Sequence, residues 1–286
     1  MKFVAIDWGT SSFRAWLIEN DQVNDQIETD KGVKNFTSGS HVSYLDEVLR
    51  IWQSKYDFIV SIGMIGSNIG LHEVTPSPLP IDLTSLSNSL LKVPDFSPAL
   101  FIVPGASKPG DVMRGEESQS LSAGVANGLV ISPGTHSKWV EIKDGRITNF
   151  QTHLTGELFE LLRNHSTLTK ATQSTKKLDA SQDFMEGLNA DSSDLLHQFF
   201  SIRANWIQGK SEEASREYLS GLLIGSEIKS AMRSFHANEA TLVASKSLAE
   251  IYIFALAHFG ITAKVVNERA LTDFFVELAK KVELKS

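Results

Sequence analysis

The chain has 286 residues, room for two domains or one large one at roughly 100–200 residues each, and it is 42% apolar against 21% charged, the balance of a protein with a sizeable core. Its 27 Lys and Arg against 34 Asp and Glu leave a net charge of −7, which argues against a nucleic-acid partner or an anionic membrane, because counterion release needs a clustered basic surface. Cysteine is absent, so disulfides, thiolate catalysis, Cys-zinc sites and iron–sulfur clusters are excluded and the chemistry falls to oxygen and nitrogen groups.

From Met1 the chain reaches the charge of Asp7 too soon for a signal-peptide core or a span of about 20 apolar residues, so a cytoplasmic location is expected. Phe3 to Ile6 reads as a strand, Asp7-Trp8-Gly9-Thr10-Ser11-Ser12 as a tight polar turn, and Phe13 to Ile18 as a returning strand, with Gln22 to Thr29 as a third. Leu45, Val48, Leu49 and Trp52 stand at helical spacing within 42–54, and Phe58 to Ile62 is a buried strand running into the glycine-rich stretch 63–70. That is a βββαβ order. Residues 74–98, rich in Pro and Ser, read as a loop, and Leu100 to Val103 as a further strand.

The second half repeats the plan. Leu129 to Ile131 is a strand, 132–137 a polar turn, and 138–142 a returning strand, closed by the hairpin signal Asp144-Gly145; Ile147 to Thr152 is the third strand. Glu157 to His165 is a helix with Leu158, Leu161 and Leu162 inward. The two copies align Gly9-Thr10-Ser11-Ser12 and Trp16 with Gly134-Thr135-His136-Ser137 and Trp139. Beyond them, 211–233 is a helix whose Gly221 and Gly225 allow another backbone to approach; Leu242 to Ala244 and Ile261 to Val266 are strands flanking a helix over 248–258. A last helix from Glu268 buries Phe274, Phe275 and Leu278. The fold class is α/β, with a boundary expected between 1–127 and 128–286 and the last helix placed to pack back on the first part.

The turn at Asp7 to Ser12 carries the strongest chemical signal. Glycine lets the backbone approach a phosphate, consecutive N–H groups and hydroxyls donate to its oxygens, and an acid just before the turn can hold Mg²⁺ through water. One such turn could equally be a hairpin stabilised by its own hydroxyls. A second at 132–137 makes two phosphate grips, as an ATP triphosphate requires. Ser67 and Asn68, at a strand's C-terminal end, point to a ligand crevice. Arg114-Gly115-Glu116-Glu117 opens a helix expected over about 116–126, where its acids could simply oppose the macrodipole.

These residues resemble the superfamily of sugar kinases, actin and heat-shock-70 ATPases, built from two ribonuclease-H-like lobes. Within its carbohydrate-kinase branch the chain is similar to the 2-dehydro-3-deoxygalactonokinase family. The likeness lies in Ile6-Asp7-Trp8-Gly9-Thr10 with Arg14 to Leu17, in 63–68, in Val112 to Glu117, in Pro133 to Val140, in Thr155 to Leu158 and in Ser220 to Glu227. Leu71-His72 and Ala244-Ser245-Lys246 depart from the family's pattern. The resemblance implies an ATP cleft between the lobes and phosphorylation of 2-dehydro-3-deoxy-D-galactonate at its 6-hydroxyl in galactonate breakdown, with ATP and Mg²⁺.

It further implies that Asp7 organises Mg²⁺ and that Glu116 is the general base, Glu117 being the alternative. Gly9, Thr10, Ser11, Arg14, Gly134, Thr135 and His136 would hold the phosphates, and Ala244 and Ser245 the adenosine. Ser67, Asn68, Arg114, Lys138 and Glu157 would bind the sugar acid. A kinase for another sugar, and a nucleotide switch with no small acceptor, are the rival readings. The implied partner is a small sugar acid, with no nucleic acid and no membrane, and a homo-oligomer is compatible with the sequence. Gly209-Lys210-Ser211 only mimics a Walker A end, since Ala204 stands where its first glycine belongs.

Overall fold

The computed structural model describes residues 1–37, 39–267 and 269–283. The chain divides into two compact units, one made of 1–127, 142–149 and the described residues from Asn267 on, the other of 128–141 and 150–266.

In the first unit β1 (Lys2–Trp8), β2 (Phe13–Glu19) and β3 (Gln22–Thr29) lead to helix α1 (Ser40–Val48) and strand β4 (Phe58–Gly63). The stretch expected as a loop is not one. It holds β5 (Ser77–Pro78), helix α2 (Leu83–Asn88) and β6 (Leu91–Lys92). The helix is nucleated by a capping box: Asp82 accepts from the Ser85 N–H while the Ser85 hydroxyl accepts from the Asp82 N–H, a local signal that outweighs the Pro and Ser around it. Then come β7 (Ala99–Ile102), β8 (Ala106–Lys108), β9 (Asp111–Met113) and helix α3 (Glu116–Ser122). The last is shorter than expected, because Gly124 takes a left-handed φ of 65° and stops it.

The second unit starts with β10 (Gly128–Ser132), β11 (Ser137–Lys143) and β12 (Arg146–His153), followed by helices α4 (Thr155–His165), α5 (Gln182–Asn189), α6 (Leu195–Ile207) and α7 (Glu212–Ala231). Strand β13 (Glu239–Leu242), helix α8 (Lys246–His258) and strand β14 (Thr262–Val265) complete it. The strand read as Leu242 to Ala244 therefore ends at Leu242, and Ala244 and Ser245 lie in the turn that starts α8. Helix α9 (Ala270–Glu283) belongs to the first unit, where it packs on α3, α2 and β1; Glu268, its expected start, lies outside the described residues.

Among the described residues the first sheet runs β3-β2-β1-β4-β7-β6 and the second β12-β11-β10-β13-β14. The orders match strand for strand apart from the extra β6, so the duplication read from the turns is a duplication of the sheet. In each sheet the strand ending in the polar turn is central and has a parallel neighbour: β1 pairs with β4 from Phe3↔Phe58 to Trp8↔Gly63, and β10 with β13 from Leu129↔Ala240. A central strand buried on both faces brings its C-terminal turn to one edge of the sheet, where ligands of such sheets bind.

The first core gathers Val4, Ile6, Trp8, Phe13, Tyr44, Trp52, Leu100 and Ile102. The second gathers Ile131, Trp139, Phe184, Leu188, Ile228, Leu242 and Tyr252. Helices α5 and α7 meet backbone to backbone there. A Cβ on Gly221 would overlap the Phe184 carbonyl, and one on Gly225 the Leu188 carbonyl, so the close approach expected at these glycines is present. Leu161 departs from expectation: it is 47% exposed, while Leu158 and Leu162 pack against a smaller cluster with Leu219 and Leu223. No helix among the described residues is long and apolar enough to cross a membrane.

Candidate active site

In the first unit β1 delivers Asp7 to the sheet edge, 5% exposed. Its Oδ2 accepts from Arg14 Nη2 at 2.5 Å and from Gln119 Nε2 at 3.1 Å. Arg14 is the cross-strand partner of Asp7 on β2, and Gln119 comes from α3. The other oxygen, Oδ1, is bordered by two glycines: a Cβ on Gly63 would come within 3.4 Å of it and one on Gly115 within 3.9 Å. Half of the carboxylate is thus committed to protein and half stands where side chains are missing. Arg14, expected on phosphate, is engaged by Asp7.

The turn after Asp7 is closed by the Gly9 N–H donating to the Ser12 carbonyl at 2.9 Å, and Thr10 and Ser11 lie on its outer side, half-buried and exposed. Residues 31–34 strap it from behind. The Trp8 indole donates to the Lys31 carbonyl, the Val33 N–H to the Gly9 carbonyl at 3.0 Å, and a Cβ on Gly32 would overlap the Thr10 carbonyl and the Ser11 nitrogen.

Helix α3 sorts its two leading acids by helical phase. Glu116 is half-buried, and its Oε2 accepts from the Arg114 N–H at 3.1 Å. It lies one turn before Gln119, on the face that reaches Asp7. Glu117 points into the core, 0% exposed, with Oε2 accepting from the Gly115 N–H at 2.7 Å and Oε1 from the Ser118 hydroxyl at 2.9 Å. Burial first, and the charge of Glu116 second, raise its pKa to about 7.

Arg114 donates to the Pro104 carbonyl at 3.0 Å and crosses beside Gly66 and Gly105. Burial lowers its pKa, partly offset by Glu117 and Glu73. Next to Gly66, Ser67 is 4% exposed with its hydroxyl given to the Met64 carbonyl, whereas Asn68 is exposed. Ser67 therefore shapes the turn and Asn68 presents donors.

The second unit builds its turn in the same way. The Glu157 N–H donates to the Thr135 carbonyl at 2.9 Å, and a Cβ on Gly156 would overlap the Gly134 carbonyl. His136 Nε2 and Glu157 Oε2 share a hydrogen bond of 2.6 Å, each side chain partly exposed. Lys138, two residues on and the second residue of β11, is only 3% exposed.

Gly134, Thr135 and Gly156 also belong to the wall of a cavity of about 630 Å³. Phe159, Leu223, Ile224, Leu248 and Ile251 make it largely apolar, and Ser247 at the start of α8 joins them. Ala244 and Ser245 lie just ahead of this segment and do not line it. Sequence reading missed these apolar walls, which come from α4, α7 and α8 and are legible only as ordinary helix faces. It also missed the clamping glycines, although Gly32 and Gly156 stand at nearly the same remove from Thr10 and Thr135.

A family model of 2-keto-3-deoxy-galactonokinase matches residues 7–274. The chain belongs to the 2-keto-3-deoxy-galactonokinase family. It is 35% identical to the 2-dehydro-3-deoxygalactonokinase of Escherichia coli strain K12 over 276 residues, 93% of this chain and 92% of that one. A solved Sinorhizobium meliloti structure of the same family superposes with a TM-score of 0.86 at 30% identity, covering 99% of both chains. Component A of the (R)-2-hydroxyglutaryl-CoA dehydratase of Acidaminococcus fermentans superposes with a TM-score of 0.53 at 13% identity over the full length of both, a likeness of fold alone. The fold is the α/β one of ribonuclease-H-like lobes, and this galactonokinase-family chain is a carbohydrate kinase whose reaction is ATP-dependent phosphorylation of 2-dehydro-3-deoxygalactonate in galactonate catabolism.

Proposed function

We propose that the first unit binds 2-dehydro-3-deoxy-D-galactonate with its 6-hydroxyl at Glu116, and that the second unit's cavity takes the adenosine of ATP beside Gly134 and Thr135. The observation that carries this reading is the division of labour at Asp7 and α3. Arg14 and Gln119 hold Oδ2, two glycines without side chains flank Oδ1, and Glu116 lies on the same helical face as Gln119. A solvent-reaching carboxylate beside a fixed acid suits proton removal from an alcohol; Glu117, buried and held by Gly115 and Ser118, does not reach solvent.

Glu116 accepts the hydroxyl proton as the oxygen attacks the γ-phosphorus in line; the bond to the β-phosphate oxygen breaks and ADP leaves. In the first unit the turn of Gly9, Thr10 and Ser11 offers donors to phosphate oxygens; in the second, Gly134, Thr135 and His136 do, with Glu157 orienting His136. Ser245 lies at the N-terminal end of α8 beside the adenosine cavity. Arg114 offers charge to the substrate carboxylate and Asn68 offers hydrogen bonds, while Lys138 adds a buried positive charge behind the second turn.

No cluster of three His, Asp or Glu side chains able to cage a metal occurs among the described residues. Mg²⁺ does not need one, since it keeps several waters and uses one or two carboxylates plus substrate phosphates, and Asp7 Oδ1 fits that role. Bound there, Mg²⁺ would neutralise charge developing on the phosphates. The setting of this metabolic reaction is the cytoplasm.

The test is a coupled assay of ADP release over a panel of sugar acids and neutral sugars. Turnover is expected with 2-dehydro-3-deoxygalactonate far above that with glycerol or free hexoses. Preference for a neutral sugar would overturn the substrate assignment.

A further inference from the structure

Glu227, on α7 in the second unit, is 3% exposed yet makes no ion pair with any described residue; its carboxylate is surrounded by donors from three other elements. Oε1 accepts from the Trp139 indole of β11 at 2.8 Å, and Oε2 from the Tyr252 hydroxyl of α8 at 2.8 Å and from the Thr155 hydroxyl at the first position of α4. Ser137, which begins β11, shares a hydrogen bond of 3.2 Å with the same Tyr252 hydroxyl.

A carboxylate is costly to bury unless its lone pairs are satisfied. Here three donors meet that need, and two of them, Thr155 and Tyr252, belong to the wall of the cavity, while Trp139 fixes the carboxylate from the core. Gly156, next to Thr155, supports the Gly134 carbonyl from below. Ser137 ends the turn that Gly134 and Thr135 form. Only a side chain with two acceptor oxygens and no donor can satisfy this arrangement.

We propose that Glu227 is the positioning residue of the second phosphate turn: it ties β11, α4 and α8 together so that Gly134 and Thr135 are held in nucleotide-binding geometry. The inference rests on the assignment of the cavity to the nucleotide. Glu227 does not line the cavity and acts through Thr155 and Tyr252.

The variant Glu227→Gln keeps the shape but turns an amide donor toward donors already in place. Binding of a non-hydrolysable ATP analogue, followed by titration calorimetry, is expected to weaken about tenfold or more, with a matching rise in KM for ATP and no change in KM for the sugar acid. Thr155→Val removes one of the three bonds and is expected to weaken binding in the same direction. The double variant should lose no more than Glu227→Gln alone, because both act on one linkage. A lower melting temperature with unchanged analogue affinity, or losses that simply add, would overturn the positioning role. Should Glu227→Gln not fold, unchanged binding by Thr155→Val overturns it just as well. Leu248→Trp, which fills the cavity, separates the two levels: if it leaves analogue binding intact, the cavity is not the nucleotide site and the proposal falls with that assignment; if it abolishes binding, failure of Glu227→Gln to weaken it counts against Glu227 alone.

Discussion

Gly156 lies against Gly134 so closely that a Cβ on the first would overlap the carbonyl oxygen of the second. In the first unit Gly32 stands in the same relation to Thr10 and Ser11. Each polar turn is therefore backed by a glycine from the segment after its third strand, and the N–H of the next residue bonds a turn carbonyl in both units, Glu157 to Thr135 and Val33 to Gly9.

Adding a methyl group at either place must move the turn, since the atoms it meets are backbone. For Gly156→Ala the expected result is a rise in KM for ATP of about tenfold or more, a misplacement of under an ångström being enough to cost that much, while KM for the sugar acid stays near its original value. Steady-state kinetics with each substrate varied in turn checks it. Equal changes in both constants would show general distortion instead.

Asp7→Asn keeps the size of the side chain and removes the charge that Arg14 pairs with. Turnover is expected to drop about 10²–10³-fold, because the Mg²⁺ that would offset charge developing on the phosphates loses the carboxylate that holds it, and the Mg²⁺ concentration for half-maximal rate should rise. Measurement of rate against Mg²⁺ at saturating substrates decides it; an unchanged Mg²⁺ dependence would move the metal role away from Asp7.

The adjacent acids of α3 should respond in opposite ways. Glu116→Gln is expected to lower turnover by about 10²–10⁴-fold, the range for loss of a general base, with little change in melting temperature. Glu117→Gln should keep most of the turnover. If Glu117→Gln is the inactive one, the base is the buried acid.

The raised pKa of Glu117 also predicts a pH dependence of stability. Between its ordinary value of 4.5 and about 7 the folded chain holds a proton that the unfolded chain has released. The stabilising contribution of that proton is fully present below about pH 4.5 and is lost as pH rises through about 7. Glu117→Gln has no charge to bury, so relative to the parent it should gain stability from pH 5 to pH 8, by at most about 3 kcal/mol. Urea unfolding at the two pH values measures the difference; no pH dependence would mean that the carboxyl is charged in the fold.

What the sequence by itself determined is local. The turns at Asp7 to Ser12 and 132–137 are short polar breaks between apolar runs, and that contrast shows them, their duplication and the α/β alternation without any knowledge of packing. The family blocks follow the same logic in part, since Gly63 and Gly115 stand at left-handed φ values of 93° and 101°, which only glycine adopts readily.

Tertiary structure decided what depends on distant parts of the chain. Nothing in the pair Glu116-Glu117 says which acid enters the core; the phase of a seven-residue helix and its packing settle it. Glu227 looks like any helix glutamate, and its three partners lie 88, 72 and 25 positions away. The cavity walls are drawn from three helices whose periodicity marks a buried face without saying whether protein or ligand covers it. Leu161 shows the same limit in reverse, a helical position read as inward that stays about half exposed. Periodicity reports a residue's direction around its own helix axis, and only the packing of elements far apart in sequence determines what lies in that direction.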